Sequence, residues 1–245
     1  MRRGLALLLI SALAACHPSA GNRDASDVVF PKADRPISKP GSTQFSTETE
    51  RDNRNEAQTV MDLAAIREGM TVADIGAGEG YYTVRLAGRV GRKGRVLAQD
   101  IDAGALHRLG ARVEHDRLDN VSIKPGAPDD PRLPAQSFDR IFMVHMYHEV
   151  AEPYAFLWRL WPALKQGGQV VVVDLDRPTD QHGIPPALLF CEFKASGFRL
   201  VGFHRKPGIS GYYAQFEAAA SGRPEPGAIG PCRVENGKVL RTKGR

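Results

Sequence analysis

Two clusters in the sequence hold residue types able to do chemistry. The first is Asp74, then Gly76-Ala77-Gly78-Glu79-Gly80, then Asp100, which lies 24 residues after Gly76. Glycines in such a loop remove side chains that would block close backbone approach. A helix starting just after it offers unpaired N–H groups and a partial positive charge to an anion. Asp74 sets a negative charge nearby, which repels phosphate and suits an ammonium group; carboxylate and ammonium together describe an amino acid. Asp100, at the end of the next strand, can accept hydrogen bonds from both hydroxyls of a ribose. An amino acid joined to a ribose points to S-adenosylmethionine. Tyr81 stands where the third glycine of a dinucleotide G-x-G-x-x-G fingerprint would be, which disfavours a pyrophosphate.

The second cluster is His145-Met146-Tyr147-His148-Glu149. A neutral imidazole could take a proton from an oxygen acceptor near neutral pH, so His148 and His145 are the catalytic candidates. The same residues could equally shape the loop or cap the helix that follows. Their H-x-x-H-E order differs from the helical H-E-x-x-H of zinc enzymes and no cysteine pair accompanies it, so no metal is expected. Tyr81 and Tyr82 are open between lining a pocket and ordinary packing, and Trp158 and Trp161 read as packing residues.

The elements that must position these clusters alternate. Helical spacing over 56–68 ends at Gly69; a strand over 70–75 runs into the glycine loop, and a helix follows over 81–90. Strands are expected at 95–99, 121–124, 138–144 and 168–174, with helices at 103–115, 154–164 and 186–196. The run 168–174 holds four consecutive valines, the mark of a strand buried on both faces. Two last strands, 198–204 and 211–218, are separated only by 205–210 and are expected to be antiparallel neighbours. The whole predicts an α/β, Rossmann-like, doubly wound sheet of seven mostly parallel strands with helices on both faces.

At this point the sequence resembles the class I S-adenosylmethionine-dependent methyltransferases over roughly 51–218. Val72-Ala73-Asp74-Ile75-Gly76-Ala77-Gly78-Glu79-Gly80 is similar to the family's first motif, and Gly94-Arg95-Val96-Leu97-Ala98-Gln99-Asp100 to its second strand with the ribose acid. Leu133-Pro134-Ala135-Gln136-Ser137-Phe138-Asp139 resembles the approach to strand four, Leu164-Lys165-Gln166-Gly167-Gly168 the turn before strand five, and Ser196-Gly197-Phe198 the entry to strand six. The resemblance implies the strand order 3-2-1-4-5-7-6 with the last strand antiparallel. It implies S-adenosylmethionine as cofactor, its methionine part held by Asp74, Gly76 and Gly78 with Ala77 and Gly80 of the same loop. The ribose falls to Asp100, with Ile101 beside it. It favours His148 over His145. The family's acid after strand three is displaced here into Gly126-Ala127-Pro128-Asp129-Asp130, leaving Asp130 or Asp129 for the adenine, and no Asn/Asp-Pro-Pro-Tyr/Phe follows strand four. That departure gives no support to amino-group methylation of bases or glutamine.

Outside this domain, taken as 51–220, Arg2 and Arg3 precede the apolar run 5–10, and Leu13-Ala14-Ala15-Cys16 resembles a bacterial lipobox. A signal peptide over 1–15, acylation of Cys16 and a flexible tether over 16–50 are therefore expected, which would put an exported domain at a membrane facing the periplasm or cell exterior. Cys191 and Cys232 are open between a disulfide and two free thiols. The segment 221–245 reads as a basic, irregular tail. With it and the two leader arginines set aside, the net charge of +5 falls to about −1, no footprint for nucleic acid. A small-molecule or lipid-like acceptor is favoured, with no obligate protein partner. Two other classes stay in view: a lipid-anchored binding domain that kept the fold without the chemistry, and a nicotinamide-dependent oxidoreductase.

Overall fold

In a computed structural model of the chain, which describes residues 28–39, 47–235 and 238–242, seven strands form one sheet in the order β3-β2-β1-β4-β5-β7-β6. They are β1 (Thr71–Ile75), β2 (Arg95–Asp100), β3 (Val121–Pro125), β4 (Phe138–Val144), β5 (Leu164–Asp174), β6 (Phe198–His204) and β7 (Tyr212–Ala218). β1 to β5 pair in parallel, and β7 runs antiparallel to both β5 and β6. This is the expected order, with the expected antiparallel strand.

The valine run of β5 shows how the two layers arise. Side chains alternate along a strand, so Val170 and Val172 face one layer while Val171 and Val173 face the other. On the first side they meet α5 (Pro153–Leu160) and α6 (Pro186–Ala195) through Leu157, Leu160, Leu189 and Phe193; on the second they meet α2 (Glu56–Leu63) and α3 (Tyr81–Val90) through Val60, Met61, Tyr82 and Leu86. Each such side chain, fully buried, stabilises by roughly 1.5–3 kcal/mol. Phe193 and Phe216 stack with ring centroids 3.9 Å apart, locking α6 onto the sheet. A third cluster, Ala77, Ala98 and Leu109, seats α4 (Ala103–His115) beside the glycine loop.

Several expectations change. The first predicted helix stops at Leu63, five residues early, because Ala65 takes a left-handed φ of 52° and turns the chain into β1. The helix expected to reach Leu164 ends at Leu160, since Pro162 has no N–H to continue it. The supposed irregular tail carries a hairpin, β8 (Cys232–Glu235) with β9 (Lys238–Arg241), and Cys191 and Cys232 form a disulfide with Cα atoms 6.0 Å apart that ties it to α6.

The supposed tether departs most. Within 28–39, Arg35 is buried and its Nε donates to Glu192 Oε1 at 2.8 Å, while Ser38 Oγ donates to the Thr179 carbonyl at 2.6 Å. Phe30 packs edge-on against Trp158. Part of the later stretch forms α1 (Glu48–Asn53), capped by Thr47. The signal peptide and Cys16 lie outside the described residues. Among those described, no helix is long and apolar enough to cross a membrane.

Candidate active site

A cavity of about 670 Å³ opens at the carboxyl ends of β1, β2 and β4, within the range of roughly 300–1,000 Å³ that buries small ligands. Gly76, Gly78, Asp100 and Ile101 are on its wall, as are His145 and Glu149. Gln99, Arg51 and Ile37 also line it, none of them marked by the sequence as site residues.

The loop is shaped by its glycines. Gly76 and Gly80 have φ of 69° and 91°, and a Cβ on either would strike Met146 at 2.8 Å or Leu109 at 2.4 Å. Gly78, with φ 55°, differs: a Cβ there would meet nothing within 4 Å. The space it leaves is a cradle for a ligand backbone. The Asp100 carboxylate is aimed by two amides, Gly78 N–H at 2.8 Å on one oxygen and Asp102 N–H at 2.9 Å on the other. That leaves acceptor positions directed at hydroxyl groups. The cradle and this carboxylate fit a ligand with one compact polar end and a diol.

Other expected contacts are not on the wall. Asp74 lies behind the loop, buried, with Oδ2 accepting from Thr83 Oγ1 at 2.6 Å. Burial pushes its carboxyl up to about 6, against the opposing effects of the Thr83 hydrogen bond and the Arg51 charge. Through Thr83 it fixes the start of α3. Ala77 packs inward, its N–H on the Gln99 carbonyl at 3.0 Å, and Gly80 caps α3. Asp130 accepts from the Arg132 N–H and Asp129 pairs with Arg159, so Ala127 and Pro128 take the place on the wall that an acid was expected to fill.

A lid of charged pairs covers the loop. Arg51 binds Glu56 through Nε at 3.0 Å and Nη2 at 2.6 Å and lies 3.8 Å over the Tyr81 ring. Glu48 holds Arg112 and Asp52 holds Arg85, so α1 is clamped to α3 and α4. Tyr81 donates to Asp52 at 3.0 Å and Tyr82 to Glu56 at 3.2 Å, which makes them structural parts of the lid.

On the opposite wall, His145 leaves β4 with a left-handed φ of 54°, and burial lowers its imidazole to about 4. At neutral pH it is uncharged, and it lines the cavity. His148 sits in a single 3-10 turn, Tyr147–Glu149, wholly buried, with Nδ1 at 2.9 and 3.1 Å from the two oxygens of Asp174. It stands behind the wall and Glu149 is on it. Arg35 braces this turn by donating to the carbonyls of His148 at 3.3 Å and Val150 at 3.2 Å. Asp174, at the carboxyl end of β5, was readable in principle as an acid at the mouth of a parallel sheet.

Comparisons with known proteins agree with this layout. Residues 72–168 match the family described as methyltransferase domain. The chain is 27% identical over 122 residues to a ubiquinone/menaquinone biosynthesis C-methyltransferase of Hahella chejuensis, covering 49% of each, and 32% identical over 115 residues to that of Methylococcus capsulatus, covering 46% of each. It thus spans about half the length of the curated relatives it matches. Among solved structures, an S-adenosylmethionine-dependent methyltransferase from Aquifex aeolicus aligns with a TM-score of 0.60 at 22% identity, over 71% of this chain and 98% of that one. A glycopeptide N-methyltransferase complexed with S-adenosylmethionine aligns at 0.56 and 12% identity, over 67% and 88%. The strand order and these matches show that the chain has the fold of class I S-adenosylmethionine-dependent methyltransferases.

Proposed function

We propose that the chain transfers a methyl group from S-adenosylmethionine to a small-molecule or lipid-like acceptor. The observation that carries this reading is the pairing of the open cradle at Gly78 with an Asp100 carboxylate held by two backbone amides on the wall of one cavity. Gly76 and Gly78 would hold the methionine end and Asp100 the ribose, with Ile101, Ala127 and Pro128 flanking the adenine. When bound, the sulfonium supplies an activated methyl group, so the protein's main tasks are to orient the acceptor and exclude water. Met146, Val150, Ala151 and Phe156 give the far wall the apolar character that a lipid-like acceptor suits. The curated relatives' names, which speak of quinone biosynthesis, agree with that choice. A nicotinamide site is disfavoured by Tyr81, whose buried ring fills the place of a third glycine.

We also infer that the domain is exported and lipid-anchored at Cys16. The leader 1–15 supports this, as does the Cys191–Cys232 disulfide, since such bonds persist in oxidising compartments. Metabolic labelling with a fatty acid, lost in Cys16→Ser, is the expected result; labelling that is absent from the unaltered chain sinks the anchor.

Calorimetric titration of S-adenosylmethionine into the full chain tests the activity reading, with NADH as control. Saturable binding is expected, weakened about 10–100-fold by Asp100→Ala through loss of charge-assisted hydrogen bonds worth about 1.5–3 kcal/mol, and abolished by Gly78→Val, which fills the cradle. A folded chain that binds NADH in preference, or neither ligand, overturns it.

A further inference from the structure

Glu149 on the cavity wall belongs to a group of donors, the rest of it behind the wall, that methyl transfer does not require. One ligand atom each from His148, Glu149 and His182 lie within 4.8 Å of one another. His148 Nε2 and Glu149 Oε1 are 3.9 Å apart, and the two imidazoles meet edge to face with centroids at 5.7 Å. The three come from two places at the carboxyl edge of the sheet: His148 and Glu149 from the turn after β4, and His182 from the loop 175–184 after β5. His182 has no neighbour in sequence to advertise it, and it replaces His145 as the second imidazole of the group.

What surrounds these donors is as informative as their spacing. His148 Nδ1 lies against the Asp174 carboxylate, itself held by the Leu175 N–H at 2.8 Å. An Nδ1–H donated to that carboxylate puts the ring's lone pair on Nε2, the atom that belongs to the group. A ligating histidine is fixed in this way in most metal sites, its far nitrogen on a carboxylate that sets the tautomer and raises its basicity. The His182 loop is fastened as well: its backbone N–H donates to Ser38 Oγ at 3.0 Å, and Ile184 N–H closes the loop on the Leu175 carbonyl at 2.8 Å. The 28–39 segment therefore holds one ligand through Ser38 and another through Arg35, which grips the His148 carbonyl.

We propose that His148, Glu149 and His182 form a three-ligand site for a first-row divalent transition metal, with Asp174 as the positioning carboxylate. Two imidazoles and one carboxylate suit Zn²⁺ and its neighbours and are poor ligands for Mg²⁺ or Ca²⁺, which take oxygen shells. Bonds of about 2.1 Å in a tetrahedral site space the ligand atoms by about 3.4 Å, so the separations here, 3.9 Å for His148 and Glu149 and none above 4.8 Å, close by side-chain rotation. Glu149 is on the cavity wall, and the ion's remaining positions are thereby offered to an oxygen or nitrogen of whatever fills the acceptor end. The site goes beyond the methyltransferase reading and stands without it.

The test is calorimetric titration of ZnCl₂ into the full chain after chelator treatment, with MgCl₂ as the hard-ion control and no S-adenosylmethionine present. One Zn²⁺ per chain is expected, with affinity at least about tenfold weaker in His182→Ala, in Glu149→Gln and in Asp174→Asn, and unchanged in His115→Ala, whose side chain is 87% exposed. Co²⁺ in place of Zn²⁺ should give the visible bands of a low-coordinate ion, absent in Glu149→Gln. Glu149→Gln and His182→Ala are less buried than His148, so thermal melting should find them folded. A folded chain that takes up no Zn²⁺, or His182→Ala and Glu149→Gln variants that bind it as tightly as the unaltered chain, overturns the site. Cofactor binding is measured separately, so either reading can fail alone.

Discussion

Around Gly76 to Asp100 the cavity wall is made of backbone: left-handed glycines, amide N–H groups aimed at one carboxylate and a helix start, all within one strand-loop-helix-strand unit. The facing wall is made mainly of side chains from 145–156, braced from behind by residues far along the chain. Arg35 and Glu192 are separated by 157 positions, yet both are buried against the turn that carries His148. The first wall is local to one unit of the fold; the second depends on contacts between distant segments.

The comparison breaks most visibly at Arg35. Arg35→Ala leaves Glu192 buried without its cation and should cost about 3–5 kcal/mol in denaturant unfolding. If the two walls are independent, the affinity of the folded fraction for S-adenosylmethionine stays within about threefold; a parallel collapse of cofactor binding would show the walls to be one unit. Next, the double change Cys191→Ser and Cys232→Ser should lower stability by about 2–4 kcal/mol, again sparing the cofactor, as read by denaturant melts and calorimetry.

On the backbone wall, Asp74→Asn sharpens the contrast in the opposite direction. The folded carboxyl, at about 6, lies above its ordinary value near 3.9, so the native chain holds a proton that the unfolded chain has released between those pH values. Its contribution to stability is full below about pH 4 and lost as pH rises through about 6. The variant, which keeps an acceptor for Thr83, should match the parent at pH 4 and exceed it by on the order of 2 kcal/mol at pH 7.5 in paired melts. Equal stability at both pH values would remove the buried charge from the account. The smallest effect is expected for Tyr81→Phe, about 0.5–1.5 kcal/mol for the lost bond to Asp52, with cofactor affinity hardly changed.

The same contrast explains what could be read from the sequence. Asp74, the glycines and Asp100 lie close together, so spacing alone exposes the loop; alternating apolar runs mark the strands and helices, while the strand order is what the family resemblance implies. Spacing does not show which side of the loop a carboxylate takes, and Asp74 lies buried behind it against Thr83. Composition misjudged 28–39 as solvated: Arg35 and Ser38 count as polar in any scale, and only the fold reveals the partners that let them be buried. His182 sits in an unpatterned loop, and nothing local to it signals that it meets His148.

The place of β7 between β5 and β6 has a consequence for how the molecule is made. Both neighbours emerge from synthesis before it, and they do not pair with each other, so that side of the sheet stays open until the chain through Ala218 is available. A nascent chain is thus kept from completing this sheet until Ala218 is available, and fragments ending before Tyr212 would present the edges of β5 and β6 that β7 covers to chaperones, proteases or one another.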